Sequence, residues 1–248
     1  MEFIFGKAEH LVYKVKMERW AIFDADNTLW EVEPLYDQAR RELCVLIEGR
    51  TKVSGNIIAE FQRRADAELH KTLGYDPQRF PASFLATAEY FLDENSLQDL
   101  SRSIRFLAQS VFKTIAPPTA GISNVLSKLK KTCKLGIITS GHEETQLRRL
   151  SQFPEIGRFS KNVMIVERKT PQSFTDFCKQ FMVDIDRSWM IGDSLQSDVL
   201  PASQIGLQTI HYKTNSWHEI ENDSHTLPDG TMQVFDLREV PAIVASAS

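Results

Sequence analysis

The chain has 248 residues, of which 42% are hydrophobic, and a formal net charge of −4. That length suits one large domain or a core carrying a smaller one. The acidic balance, with only short basic pairs such as Lys130-Lys131 and Arg148-Arg149, leaves no footprint for nucleic acid.

Residues 1–16 alternate loosely (Leu11, Tyr13, Val15) and read either as an extra strand or as a leader without a part in function. The first twenty residues lack the apolar centre of a secretory signal, and no run reaches the roughly 18 apolar residues of a membrane span. Three cysteines, Cys44, Cys133 and Cys178, are odd in number, far apart and outside any Cys-x-x-Cys pair. They predict free thiols in a reducing compartment, the cytoplasm by default.

From 21 to 24 the chain is apolar and ends on polar residues, as a strand buried on both faces does. The next stretch, 34–113, has no β-like run. It carries apolar residues at helical spacing (Leu43, Leu46, Ile47; Ile57, Ile58, Phe61, Ala65), punctuated by Gly49, Ser54, Gly74, Pro77 and Pro81. Pro117-Pro118 marks the return. Short apolar runs then recur at 135–138, 163–166, 189–191 and 207–210, alternating with helical patterns over 121–131, 143–151, 171–182 and 197–205. Strands alternating with helices predict an α/β fold, a doubly wound parallel sheet, with an all-helical domain inserted after the first strand. The expected division is a core of 17–33 and 114–248, a helical unit of 34–113 and an extension of 1–16. The small-residue tail after Val240 is expected to fray.

Four of the apolar runs end in polar clusters, and ligands of open parallel sheets bind beyond the carboxyl ends of strands. The first cluster is Asp24-Ala25-Asp26-Asn27-Thr28. Two carboxylates so close repel unless a cation sits beside them, and a hard divalent ion such as Mg2+ takes such oxygens; the alternative is a polar turn in which Asp26 or Asn27 caps a helix. The second, Thr139-Ser140-Gly141, is either an anion site of hydroxyls and backbone N–H groups or a helix cap. In the third, Arg168-Lys169-Thr170-Pro171, Lys169 either projects a point charge for phosphate or is solvated. The fourth, Gly192-Asp193-Ser194-Leu195-Gln196-Ser197-Asp198, places two acids five apart across a strand-to-helix turn, where they either serve one metal or leave Asp198 as a first-turn residue.

Taken in order, Asp-x-Asp-x-Thr, a Thr/Ser after the second strand, a Lys, and Gly-Asp-x-x-x-x-Asp, these clusters resemble the four motifs of the haloacid dehalogenase superfamily over about 21–212. The helical insertion resembles the family's C1 cap. One departure is Thr170 where many relatives have proline directly after the lysine, which leaves Lys169 as the best match and Arg168 as the lesser one.

The resemblance implies a Mg2+-dependent phosphatase acting on a small phosphate ester. Asp24 would be the nucleophile and Asp26 the acid and base. Asp24, the Asp26 carbonyl and Asp193 would hold Mg2+, with Asp198 as ligand or support, and Thr139, Ser140 and Lys169 would bind the phosphoryl group. Mutases and phosphonate hydrolases share the core motifs, and the rival from outside the enzymes is a catalytically idle binding protein on the same fold. The family's carbon–halogen hydrolases lack an acid at the position of Asp26. Trp30 and Glu31 fall where the family has a mobile flap, and either touch substrate or, for Trp30, pack in the core. His211, His218 and His225, spaced seven apart, match no metal motif, and His142 is expected to be solvated. Specificity would rest on cap cations such as Arg63, Arg64 and Lys71.

Overall fold

The computed structural model describes residues 18–214 and 226–246. The expectations for 1–16, His218 and His225 lie outside the described residues. Six strands, β1 (Trp20–Phe23), β2 (Lys134–Ser140), β3 (Val163–Val166), β4 (Trp189–Gly192), β5 (Gln208–Tyr212) and β6 (Met232–Val234), form one sheet in the order β3-β2-β1-β4-β5-β6. Every neighbouring pair is parallel.

The alternation of β1 explains why its residues are all apolar. Trp20 and Ile22 point to one face and join Phe174 and Phe177, whereas Ala21 and Phe23 point to the other and join Val125 and Leu126. Both faces are therefore covered: one by α7 (Pro171–Phe181) and α8 (Leu200–Ser203), the other by α5 (Ile122–Leu129) and α9 (Val240–Ser246). Gly136 on β2 is required by this packing, since a Cβ there would lie 2.6 Å from Phe177 Cζ.

Between β1 and α5 lie four helices, α1 (Glu33–Glu48), α2 (Gly55–Leu73), α3 (Arg79–Phe91) and α4 (Glu94–Lys113). They bury an apolar cluster of their own, including Leu43, Ile47, Ile58, Phe84, Ile104 and Ala108. Burying each large side chain contributes roughly 1.5–3 kcal/mol, which outweighs exposed ion pairs such as Lys71–Glu68, so these helices are held together by their apolar faces. Tyr36 packs against both this cluster and that of the sheet.

Two sequence expectations are corrected. The described part of the tail, to Ser246, does not fray: it forms α9, whose Val240 and Val244, one turn apart, are buried on the sheet side. The helix expected over 197–205 is instead a π-helical turn at Leu195–Val199 followed by the short α8. Pro201 has no N–H to continue an α ladder at this point, and the Leu200 N–H reaches back to the Leu195 carbonyl. No described helix is long and apolar enough to cross a membrane.

Candidate active site

The connection from β1 runs to β2 on one side and that from β4 runs to β5 on the other, so the topological switch point lies between β1 and β4. Asp24 and Asp193 follow those two strands directly, and the Asp24 N–H donates to the Ile191 carbonyl at 2.9 Å. The π turn swings Asp198 back under β4, where it is fully buried and its Oδ2 accepts the Ser194 N–H at 3.0 Å. One carboxylate oxygen from each of Asp24, Asp193 and Asp198 lies within 4.8 Å of the others. Asp193 is further fixed by Thr28, whose hydroxyl donates to Oδ1 at 3.4 Å, and by His211, whose Nε2 lies 2.9 Å from the Asp193 carbonyl. His211 thus has a structural task at the site that its spacing in the sequence did not reveal.

Lys169 enters the cluster from the segment after β3. Its ammonium donates to Asp24 and, at 2.5 Å, to Asp198 Oδ1, while the neighbouring Arg168 is exposed. Thr170 is the cap of α7, accepting the Ser173 N–H at 3.2 Å, and this start directs Lys169 inward. Burial pushes the Asp24 carboxyl up to about 7; Lys169 opposes that rise and Asp198 adds to it. For Lys169, burial alone would lower the ammonium, but Asp198 and Asp24 outweigh it and hold it above its ordinary range.

Thr139 and Ser140 end β2 rather than capping the next helix, α6 (Glu143–Gln152), whose cap position is His142. The Thr139 hydroxyl is buried and has no hydrogen-bond partner. Thr139 lies near the end of β2, the strand paired with β1, and a buried hydroxyl without a partner there is free to answer a ligand oxygen. The three carboxylates are hard oxygen donors that come within 4.8 Å of one another, and these residues fit a divalent cation.

Asp26, only two residues from Asp24, has a different setting. Its side chain is outside the carboxylate trio and accepts from Trp30 Nε1 at 2.6 Å, Gln146 Nε2 at 3.0 Å and Arg149 Nη1 at 2.6 Å. Asn27, at φ 60°, is not the cap residue of α1, which is Val32, but from the preceding turn its Oδ1 accepts the Val32 and Glu33 N–H groups at 3.0 and 2.9 Å. Trp30 is 1% exposed and packs on Phe153, so it belongs to the core rather than to a substrate-touching flap.

A cleft of about 200 Å3 opens between the sheet edge and the helices. Asp26, Ser140, His142, Gln146 and Arg149 line one wall, and Tyr36, Arg40, Asp66, Tyr75 and Arg79 the other. Of the helical cations, Arg40 and Arg79 reach this cleft, whereas Arg64 and Lys71 are exposed and paired with Glu60 and Glu68. Arg79 is tied to Asp66 at 3.0 Å and to the Gly74 carbonyl at 2.8 Å, and Arg40 to Gln62 at 2.7 Å. The sequence does carry one signal for Gln146 and Arg149: they are three apart on the helix that begins just after Thr139-Ser140-Gly141, and so share a face.

Fold and site together define a doubly wound α/β enzyme with an acidic, lysine-bridged centre at its switch point. The family model for haloacid dehalogenase-like hydrolases matches residues 19–206, and the chain belongs to that family. A curated relative, the glyceraldehyde 3-phosphate phosphatase of Pyrococcus abyssi, is 27% identical over 203 residues, covering 77% of this chain and 79% of the relative. A haloacid dehalogenase-like hydrolase from Xanthomonas campestris superposes with a TM-score of 0.72 at 21% identity, covering 94% of this chain and 93% of that one. The L-2-haloacid dehalogenase of Xanthobacter autotrophicus superposes with a TM-score of 0.60 at 17% identity, covering 94% and 100%. At such identities the solved structures establish the fold.

Proposed function

We propose that the chain is a Mg2+-dependent phosphatase that hydrolyses a small phosphate monoester through an aspartyl-phosphate on Asp24. The observation that carries this reading is the division between the two neighbouring acids. Asp24 is buried against Lys169 and the carboxylate trio, whereas Asp26 is held at the cleft by Trp30, Gln146 and Arg149. On this reading the first would attack phosphorus and the second would move a proton.

The Asp24 carboxylate would attack phosphorus as the bond to the leaving oxygen breaks, and Asp26 would give that oxygen its proton. Asp26 would then take a proton from water, which attacks phosphorus and frees the Asp24 carboxylate. The net reaction is ester plus water to alcohol plus phosphate. Lys169, Thr139 and Ser140 would hold phosphoryl oxygens. The Asp24 and Asp193 side chains and the Asp26 carbonyl would hold Mg2+, with Asp198 as a ligand or as support. When bound, the ion would supply charge neutralisation at the transferring group.

Helices 34–113 would act as a lid over the core of 17–33 and 114–248, closing the cleft against water. The small cleft and the phosphatase relatives support a compact substrate, and glyceraldehyde 3-phosphate heads the compounds to test. Asp26 argues against carbon–halogen hydrolysis, which has no leaving group in need of a proton. The test is a panel of phosphorylated metabolites assayed with Mg2+, with chelator, and with Asp24→Asn. Turnover should require both Mg2+ and Asp24; full activity without either would overturn the reading.

A further inference from the structure

The three donors to Asp26 come from two directions. The Trp30 indole binds Oδ1, while Gln146 and Arg149, from α6, both bind Oδ2. Holding both oxygens sets the position of the carboxylate and the plane of its two oxygens. The donors are themselves fixed: Trp30, Gln146 and Arg149 are 1%, 2% and 7% exposed. The Gln146 amide also donates to the Ser140 carbonyl at 3.1 Å, and the Arg149 guanidinium is faced by the Tyr36 hydroxyl of α1.

Stability alone does not call for this arrangement. A guanidinium buried in a helix face is expensive to desolvate, and apolar replacements of buried ion pairs are often neutral or stabilising. A proton donor, by contrast, must lie within hydrogen-bond reach of the leaving oxygen, and a misplacement of about 1 Å can cost about 10²-fold in rate.

We propose that Arg149 is a positioning residue: with Gln146 it holds the Asp26 carboxylate at the leaving-group side of the cleft, and it acts on the reaction only through Asp26. This rests on the phosphatase reading above. Arg149 then matters most where the leaving oxygen needs a proton. An alkyl phosphate needs it in the first step; p-nitrophenyl phosphate releases p-nitrophenolate, a stable anion, and needs Asp26 only when water attacks the phosphoenzyme.

The experiment compares glycerol 3-phosphate and p-nitrophenyl phosphate in the wild type, Arg149→Ala, Arg149→Lys, Gln146→Met and Asp26→Asn, with Mg2+ present. Arg149→Ala should lower both the first turnover and kcat on glycerol 3-phosphate about 10²-fold, with KM nearly unchanged. On p-nitrophenyl phosphate it should keep a rapid burst of one nitrophenolate per site, followed by slow turnover. Arg149→Lys should recover part of the loss, because an ammonium returns the charge without the fixed plane of the guanidinium. Gln146→Met removes the amide donor to Asp26 and the Ser140 carbonyl together with a buried amide oxygen that has no partner; it should keep the fold and show the same split at smaller size. It carries the test if Arg149→Ala does not fold. An equal loss on both substrates including the burst, or an effect on KM alone, would overturn the proposal. If Asp26→Asn hydrolyses glycerol 3-phosphate at the wild-type rate, the phosphatase reading fails. If Asp26→Asn is impaired and both Arg149→Ala and Gln146→Met are not, only the positioning role fails.

Discussion

Gly192 lies directly under the side chain of Asp198: a Cβ at Gly192 would sit 2.5 Å from Asp198 Cγ and 2.7 Å from its Cβ. The last residue of β4 must be glycine for the π turn to fold its acid back to Lys169. Gly192→Ala should therefore destabilise the protein by about 1–3 kcal/mol through overpacking and weaken Mg2+ binding, as read by denaturant unfolding and metal titration. Wild-type values in both would show that the turn can move aside.

The Asp24 carboxyl, raised from 3.8 to about 7 chiefly by burial, gives a pH dependence with a defined sign. Between about pH 4 and pH 7 the metal-free folded chain binds more protons at Asp24 than the unfolded chain does, so this group's contribution to stability falls as pH rises through that window. In chelator, the stability of the wild type relative to Asp24→Asn should fall from pH 4 to pH 7. Mg2+ must displace that proton, so its stabilising effect should be larger at about pH 8 than at about pH 5.5. Thermal melts with and without Mg2+ measure both.

Thr139 should separate stability from binding. Its buried hydroxyl has no partner, so Thr139→Val, which keeps the shape, should not lower the melting temperature. If the hydroxyl binds a phosphoryl oxygen, inhibition by inorganic phosphate should weaken by about tenfold or more, the worth of a hydrogen bond to a charged group.

Lys169→Met should do the opposite. It strands the Asp24 and Asp198 carboxylates, which are 7% and 0% exposed, and the loss of a buried partner typically costs about 3–5 kcal/mol. The melting temperature in chelator should drop well below that of the wild type, and kcat should fall by about 10²-fold or more.

The core is legible in the sequence because a parallel strand buried on both faces has to be a short apolar run, as 20–23, 135–138 and 189–191 are. The polar residues that end those runs have to gather at one edge of the sheet. Strand β6 escapes such a reading, since its Met232 and Gln233 are exposed and only Val234 is buried. The surroundings of Asp26 are less legible, because Gln146 and Arg149 lie 120 and 123 residues away and look like any polar residues on an amphipathic helix. Choosing Arg40 and Arg79 over Arg63, Arg64 and Lys71 likewise depends on how four helices pack, which spacing along the chain does not state.

The central claim is that Asp24 carries the phosphoryl group. Wild-type protein mixed with a turning-over phosphate ester and Mg2+, quenched in acid within the first turnovers and digested, can be examined by peptide mass spectrometry. The peptide containing Asp24 should carry one phosphoryl group, lost on treatment with hydroxylamine and absent from Asp24→Asn. Phosphate release continuing in Asp24→Asn, or a phosphoryl group found on another residue, would contradict the account.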